Sequence, residues 1–206
     1  MFSEVVRGLL AGEVICAISK PEGYAFLSDP ANAQDVSAHL QRIELKLAQT
    51  QRRSAFYVAC LADSTETRKV AKEVFKEIKQ VDRPLVYFMD LLMRAMRNDD
   101  YLMPGSVIEA SKLMAAIDAS PSFRNELQSL ATMLSPSNDG TDRARLTKIL
   151  KYFVSHGYLY LTNPERELYQ VTGKIELFRE TIDFLMEHDS VAAIDDGVPV
   201  SEPSLL

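Results

Sequence analysis

Cysteine, histidine and long apolar runs are all scarce in this chain, and each scarcity closes off a class of protein. The two cysteines, Cys16 and Cys60, fall in separate apolar stretches. A secreted scaffold stapled by disulfides carries them more densely, so this pair reads as packed thiols in a reducing compartment. The three histidines, His39, His156 and His188, lie far apart, and none stands in an HExxH motif or beside a CxxC pair. His156 and His188 fall where helices are expected to end, and there a cation complements the helix dipole. No metal site or nucleophile–base pair is predicted from such spacing.

Phosphate-binding glycine motifs are missing too. Neither GxxxxGK[ST] nor GxGxxG occurs. Thr172-Gly173-Lys174 has the end of a phosphate loop without its upstream glycine, and reads as the start of a helix. The acidic pairs Asp99-Asp100 and Asp195-Asp196 fall at a helix end and in the tail, where solvation accounts for them. No stretch approaches the ~20 apolar residues that span a bilayer. The opening MFSEVVRGLLAGEV has an acid at Glu4 and lacks the basic start and long apolar centre of a secretory leader. The expectation is a cytoplasmic, membrane-free protein with no catalytic, cofactor-binding or metal-ligating residues.

A basic surplus is also lacking. The formal charge is −6, which argues against a protein that coats nucleic acid electrostatically, although a local basic face remains compatible with it. What the chain does contain is ordinary globular composition, 47% apolar and 25% charged, enough for a real core.

The patterning is mainly helical. GEVICAIS and GYAFLSDP read as two short strands around the turn KPEG. Asp29-Pro30 then opens a helix whose buried face is Val36, Leu40, Ile43 and Leu47. SAFYVACL is a continuous apolar run and predicts a buried strand. Ser64 or Thr65 caps a helix with the stripe Val70, Val74, Ile78 and Val81, whose other faces are thickly charged. Asp82-Arg83-Pro84 ends it and opens a helix from Leu85 to Asn98. After the turn Met103-Pro104-Gly105-Ser106 comes a helix with Val107, Leu113, Met114 and Ile117. Ser120-Pro121 starts another, with Phe123, Leu127, Leu130 and Leu134.

The most informative segment follows the loop SPSNDGTD. Thr141 or Asp142 caps DRARLTKILKYFVSHG, with Leu146, Ile149, Leu150 and Phe153 on its core face and Gly157 as its stop. YLYLT and ELYQVT are alternating strands joined by Asn163-Pro164-Glu165-Arg166. Gly173 leads into a last helix bearing Ile175, Phe178, Ile182 and Leu185. Helices, a longer helix, a hairpin and a helix is the order of a winged helix, with residues 141–156 in the recognition position. A generic α+β domain fits that order as well. The first eighty residues could be a degenerate module of the same kind. The fold class expected is mainly α with small β-hairpins, as tandem winged-helix domains over residues 1–81 and 82–188. The acidic, proline-containing residues 189–206 read as a disordered tail.

On the recognition-position helix Arg145, Lys148 and Lys151 fall along one side with Arg143 nearby, a stripe able to meet phosphates. Against it, residues 141–188 hold seven basic and seven acidic residues, with Glu165 and Glu167 in the wing. That balance favours a winged helix that binds protein and touches DNA weakly. A winged-helix transcriptional regulator is the alternative.

GYAFLSDP, LQRIELKLAQTQRRSAFYVAC, LTKILKYFVSHGYLYL and ELYQVTGKIELFRETIDFLMEH, in this order over roughly residues 8–188, resemble the MukE/MksE family. Its members are small tandem winged-helix subunits of bacterial condensin-like SMC complexes, with the Wadjet defence subunits as relatives. The resemblance implies a non-catalytic subunit, dimeric, that grips a kleisin of the MukF/MksF type and through it a MukB/MksB-like SMC ATPase. The role it implies is chromosome organisation and segregation or plasmid restriction at the nucleoid. It also makes Arg143, Arg145, Lys148 and Lys151 candidates for a weak, non-specific DNA contact.

Overall fold

The computed structural model of the chain describes residues 1–61, 83–97, 102–135 and 140–195, with the backbone alone for 185–195. The architecture is mainly helical with two small antiparallel sheets. The first part runs α1 (Phe2–Leu10), β1 (Ile15–Cys16), α2 (Pro21–Ser28), α3 (Pro30–Gln41), β2 (Leu45–Gln49) and β3 (Ala55–Cys60). Its sheet has the order β1-β3-β2, so the strand before the helices pairs with the last strand of the hairpin. Val5, Leu9, Ile15, Leu27, Val36, Leu40 and Phe56 close into one buried cluster between the helices and one sheet face.

Among the described residues the second part repeats the order with one more helix before the hairpin and another after it. Residues 83–95 form α4. They are followed by β4 (Val107–Glu109), α5 (Ala110–Asp118), α6 (Pro121–Leu134), α7 (Asp142–Ser155), β5 (Leu159–Asn163), β6 (Leu168–Val171) and α8 (Lys174–Asp195). The sheet order is β4-β6-β5, again with the early strand against the end of the hairpin. Its separate core holds Leu113, Ile117, Leu127, Leu130 and the α7 face Leu146, Ile149, Leu150 and Phe153. Aromatic rings run through it. Phe88 of α4 stacks on Phe153 at 4.6 Å, Phe153 meets Tyr158 edge-on, and Tyr158 meets Phe178 of α8 edge-on. On the surface Arg94 joins Asp90 at 2.6 Å and also Glu126, tying α4 to α6.

Local signals fix many boundaries. Asp29 caps α3 by accepting from the Ala31 and Asn32 amides, and Thr141 caps α7 by accepting from Ala144. Pro30 and Pro121 occupy first turns, where a missing N–H costs nothing. Gly157 takes φ +76° just past α7, a conformation that favours glycine.

Several expectations are corrected. GYAFLS is not a strand: Pro21 starts α2, which turns Leu27 into the core and sets Tyr24 against Phe56 at 5.5 Å. Apolar residues at 24, 26 and 27 fit a short helix as readily as a strand, and the proline decides it. The next helix stops at Gln41, leaving Ile43 48% exposed. Glu44 takes φ +61°, and Leu45–Gln49 become β2, held along β3 by the register Leu47↔Val58. Val107 lies in β4, not in a helix, because Ile108 pairs with Tyr169. Cys60 is exposed and only Cys16 is packed. α8 runs to Asp195, past the expected start of the tail; no glycine or proline interrupts the chain before Gly197. The helix expected from Ser64 or Thr65 to Val81 lies outside the described residues, as do residues 136–139 of the SPSNDGTD loop and 196–206 of the tail.

Candidate functional site

The Thr141 cap fixes where α7 begins, and its apolar face at Leu146, Ile149, Leu150 and Phe153 fixes its rotation. The basic side chains therefore fall off that buried face, and Arg143 at its start reaches the hairpin turn 164–167. The four candidates are not equivalent. Arg143 forms an ion pair with Glu167 at the base of that turn. Arg145 pairs with Asp142 at 2.6 Å, and its side chain is only 20% exposed. Lys148 and Lys151 are exposed. Two cations of the stripe are thus matched by acids at close range, which cancels much of the field a phosphate would feel. The turn itself presents Pro164, Glu165 and Arg166 to solvent, its start shaped by the Arg166 amide donating to Asn163 Oδ1 at 2.9 Å. Burial raises the Tyr169 hydroxyl above its ordinary pKa, partly offset by the Arg143 charge.

The second arrangement joins the two parts of the chain. Glu176, in the first turn of α8, is 5% exposed. Its carboxylate accepts from the Arg52 amide at 2.8 Å and from the Ser54 hydroxyl, both in the turn between β2 and β3. One helical turn on, Glu180 accepts from the Gln51 amide at 2.7 Å. Thr50, 1% exposed, prepares that turn by accepting from the Ser54 amide at 3.0 Å and the Ala55 amide at 3.2 Å. Gly173 permits the approach: a Cβ there would lie 2.8 Å from Ala55 Cβ, Cys16 Cβ and the Ser54 carbonyl oxygen. The Arg52 guanidinium reaches Met103 Sδ at 3.3 Å. Burial, and after it the Glu180 charge, raises the Tyr57 hydroxyl.

Neither glutamate stands out in the sequence. GKIELFRE reads as an amphipathic helix start, and nothing local says that its acids face a turn more than a hundred residues away.

Beside this junction Lys174 donates to the His156 carbonyl at 2.9 Å and lies 5.0 Å from the Tyr158 ring centre. Burial lowers its pKa. It lines a cleft of about 270 Å³ with Gly12, Glu13, Lys20 and His156. His156 caps α7, its Nδ1 donating to the Tyr152 carbonyl at 2.8 Å, while His39 sits edge-on to Phe2 at 5.8 Å. Thr172-Gly173-Lys174 does begin a helix: Thr172 Oγ1 donates to the Gly157 carbonyl at 2.6 Å and accepts from the Lys174 amide. The His188 side chain lies outside the described residues. Among the described residues no group of three or more His, Cys, Asp or Glu could hold a metal ion, and no helix is long and apolar enough to cross a membrane.

No curated protein sequence matches the chain. The family model described as condensin complex protein MksE matches residues 1–182, which takes in both cores, both hairpins and the first turns of α8. The chain belongs to the MksE family of condensin complex proteins.

Proposed function

We propose that this chain is a non-catalytic accessory subunit of a bacterial condensin-like SMC–kleisin complex, acting by binding the kleisin and, through it, the SMC ATPase. The family match over residues 1–182 carries this reading. In it residues 1–81 and 82–188 are two winged-helix domains. Support comes from the repeated order of helix, strand, helices and hairpin, with sheets β1-β3-β2 and β4-β6-β5. The subunit is a homodimer in the cytoplasm at the nucleoid. It serves chromosome organisation and segregation or plasmid restriction by holding other subunits together.

Any DNA contact in this reading is weak, non-specific and salt-sensitive, and falls to Arg143, Arg145, Lys148 and Lys151. The ion pairs Arg143–Glu167 and Arg145–Asp142 speak against an operator-reading regulator, which needs its cations on phosphates.

The test is co-expression with the kleisin encoded beside it, followed by size-exclusion chromatography with light scattering. A co-eluting complex with two copies of this chain is the expected result. Two separate peaks at micromolar concentration would count against kleisin binding. A sharp preference for one DNA sequence over random duplex would move the reading to a transcriptional regulator.

A further inference from the structure

The turn between β2 and β3 is built to receive carboxylates. Thr50 Oγ1 gathers the Ser54 and Ala55 amides, and the Arg53 amide donates back to the Thr50 carbonyl at 2.8 Å. With Arg53 at φ +58°, this folding leaves the Gln51 and Arg52 amides as donors. Both are taken by α8, through Glu180 at 2.7 Å and Glu176 at 2.8 Å, with the Ser54 hydroxyl as a second donor to Glu176. A 5% exposed carboxylate is costly to bury unless its oxygens are bonded, and here both are. Beneath them Gly173 sits against Ala55 and Cys16 with no room for a side chain. Charge-assisted bonds on one side and a close backbone contact on the other constrain both the distance and the rotation between the two cores.

We propose that the β2–β3 turn and the first two turns of α8 form a carboxylate latch that holds the two halves of the chain in one orientation. A partner then meets them as one body, and a force on one half is felt by the other. The two hairpins accordingly play different parts. The backbone donors at 51 and 52 are committed to the internal joint, while the turn 164–167 faces outward. This inference rests on the geometry of the junction and stands whether or not the chain binds a kleisin.

The experiment uses the full chain with spin labels attached at Gln41→Cys and Asn125→Cys, both exposed positions, with the exposed thiol removed by Cys60→Ser, and with the labelled chain diluted into excess unlabelled chain so that only distances within one copy are read. With the latch intact, electron–electron distance measurements are expected to give one narrow distribution. Glu176→Ala with Glu180→Ala should broaden it. The Gln51 and Arg52 amides should exchange at least roughly tenfold faster, with core amides such as those of Leu40 and Leu150 still protected. A narrow, unchanged distribution in the double variant overturns the latch, and so does a broad one with the latch intact. Should Glu176→Ala unfold the chain, Glu180→Ala alone decides. Its expected signature is faster exchange at Gln51 with a broader distribution, and no change in either overturns the proposal.

Discussion

The Arg52 amide and the Glu176 carboxylate, 124 positions apart in sequence, meet at 2.8 Å. That bond, with its neighbours at Gln51 and Ser54, joins two cores that among the described residues form separate buried clusters.

The close approach behind it makes Gly173 sensitive to any side chain. A Cβ at 2.8 Å from two other Cβ atoms and a carbonyl oxygen has no flexible neighbour to displace. Gly173→Val should cost about 1–3 kcal/mol through overpacking, read as a lower urea midpoint. An unchanged midpoint would mean that the two halves separate at no cost.

Phe153 is fully buried and stacks on Phe88 at 4.6 Å. Phe153→Ala removes a ring from the centre of the second core, and should cost about 3–5 kcal/mol in equilibrium denaturation. A loss below about 1 kcal/mol would show that the core refills the space.

The cap at the start of α3 is a smaller, local test. Asp29 accepts from the Ala31 amide at 2.9 Å and the Asn32 amide at 3.2 Å. Asp29→Ala should cost about 1 kcal/mol, and Asp29→Asn, which keeps an acceptor, much less. Urea denaturation of the two variants checks the order.

Replacing Arg145 and Lys148 together by Glu changes the outer side of α7. Folding should survive, because an ion pair such as Arg145–Asp142 is worth about 1 kcal/mol or less near the surface. Circular dichroism and melting check this. Fluorescence anisotropy on a labelled duplex at low salt should show whatever DNA affinity the chain has falling to background. Binding unaffected by the double charge reversal would place the contact elsewhere.

Lys174 gives a pH dependence with a definite sign. Burial holds its folded pKa below the unfolded value, so between those two values the unfolded chain binds more protons. The Lys174 contribution to stability is therefore lowest below the folded pKa and rises as pH climbs towards 10.5. The stability difference between the natural chain and Lys174→Met, measured by urea denaturation at several pH values up to 10.5, should move in favour of the natural chain. Movement the other way would mean that the bond to the His156 carbonyl outweighs desolvation.

Much of the second core was legible because its signals are local. Leu146, Ile149, Leu150 and Phe153 recur at helical spacing between a threonine cap and a glycine stop, and all four are buried. The hairpin after them alternates as strands do, around a turn rich in breakers. The family resemblance was legible for the same reason, since its motifs are these apolar and turn patterns. The candidate stripe was legible only as charges on a helix. That Arg143 meets Glu167 depends on where the hairpin folds back.

Residue types and their spacing thus determined the helices with strong caps, the hairpin of the second half, the absence of a recognisable catalytic motif and the family. Tertiary structure decided the rest. Leu45–Gln49 carries an apolar spacing that suits a helix or a strand, and becomes β2 because β3 offers its backbone donors and acceptors. Val107–Glu109 is a strand because β6 lies beside it. Glu176 and Glu180 look like solvated helix residues until α8 is set against the turn at 51–54. A carboxylate's role depends on which donors surround it, and those donors come from a segment that chain order places far away and folding brings to 2.7 and 2.8 Å.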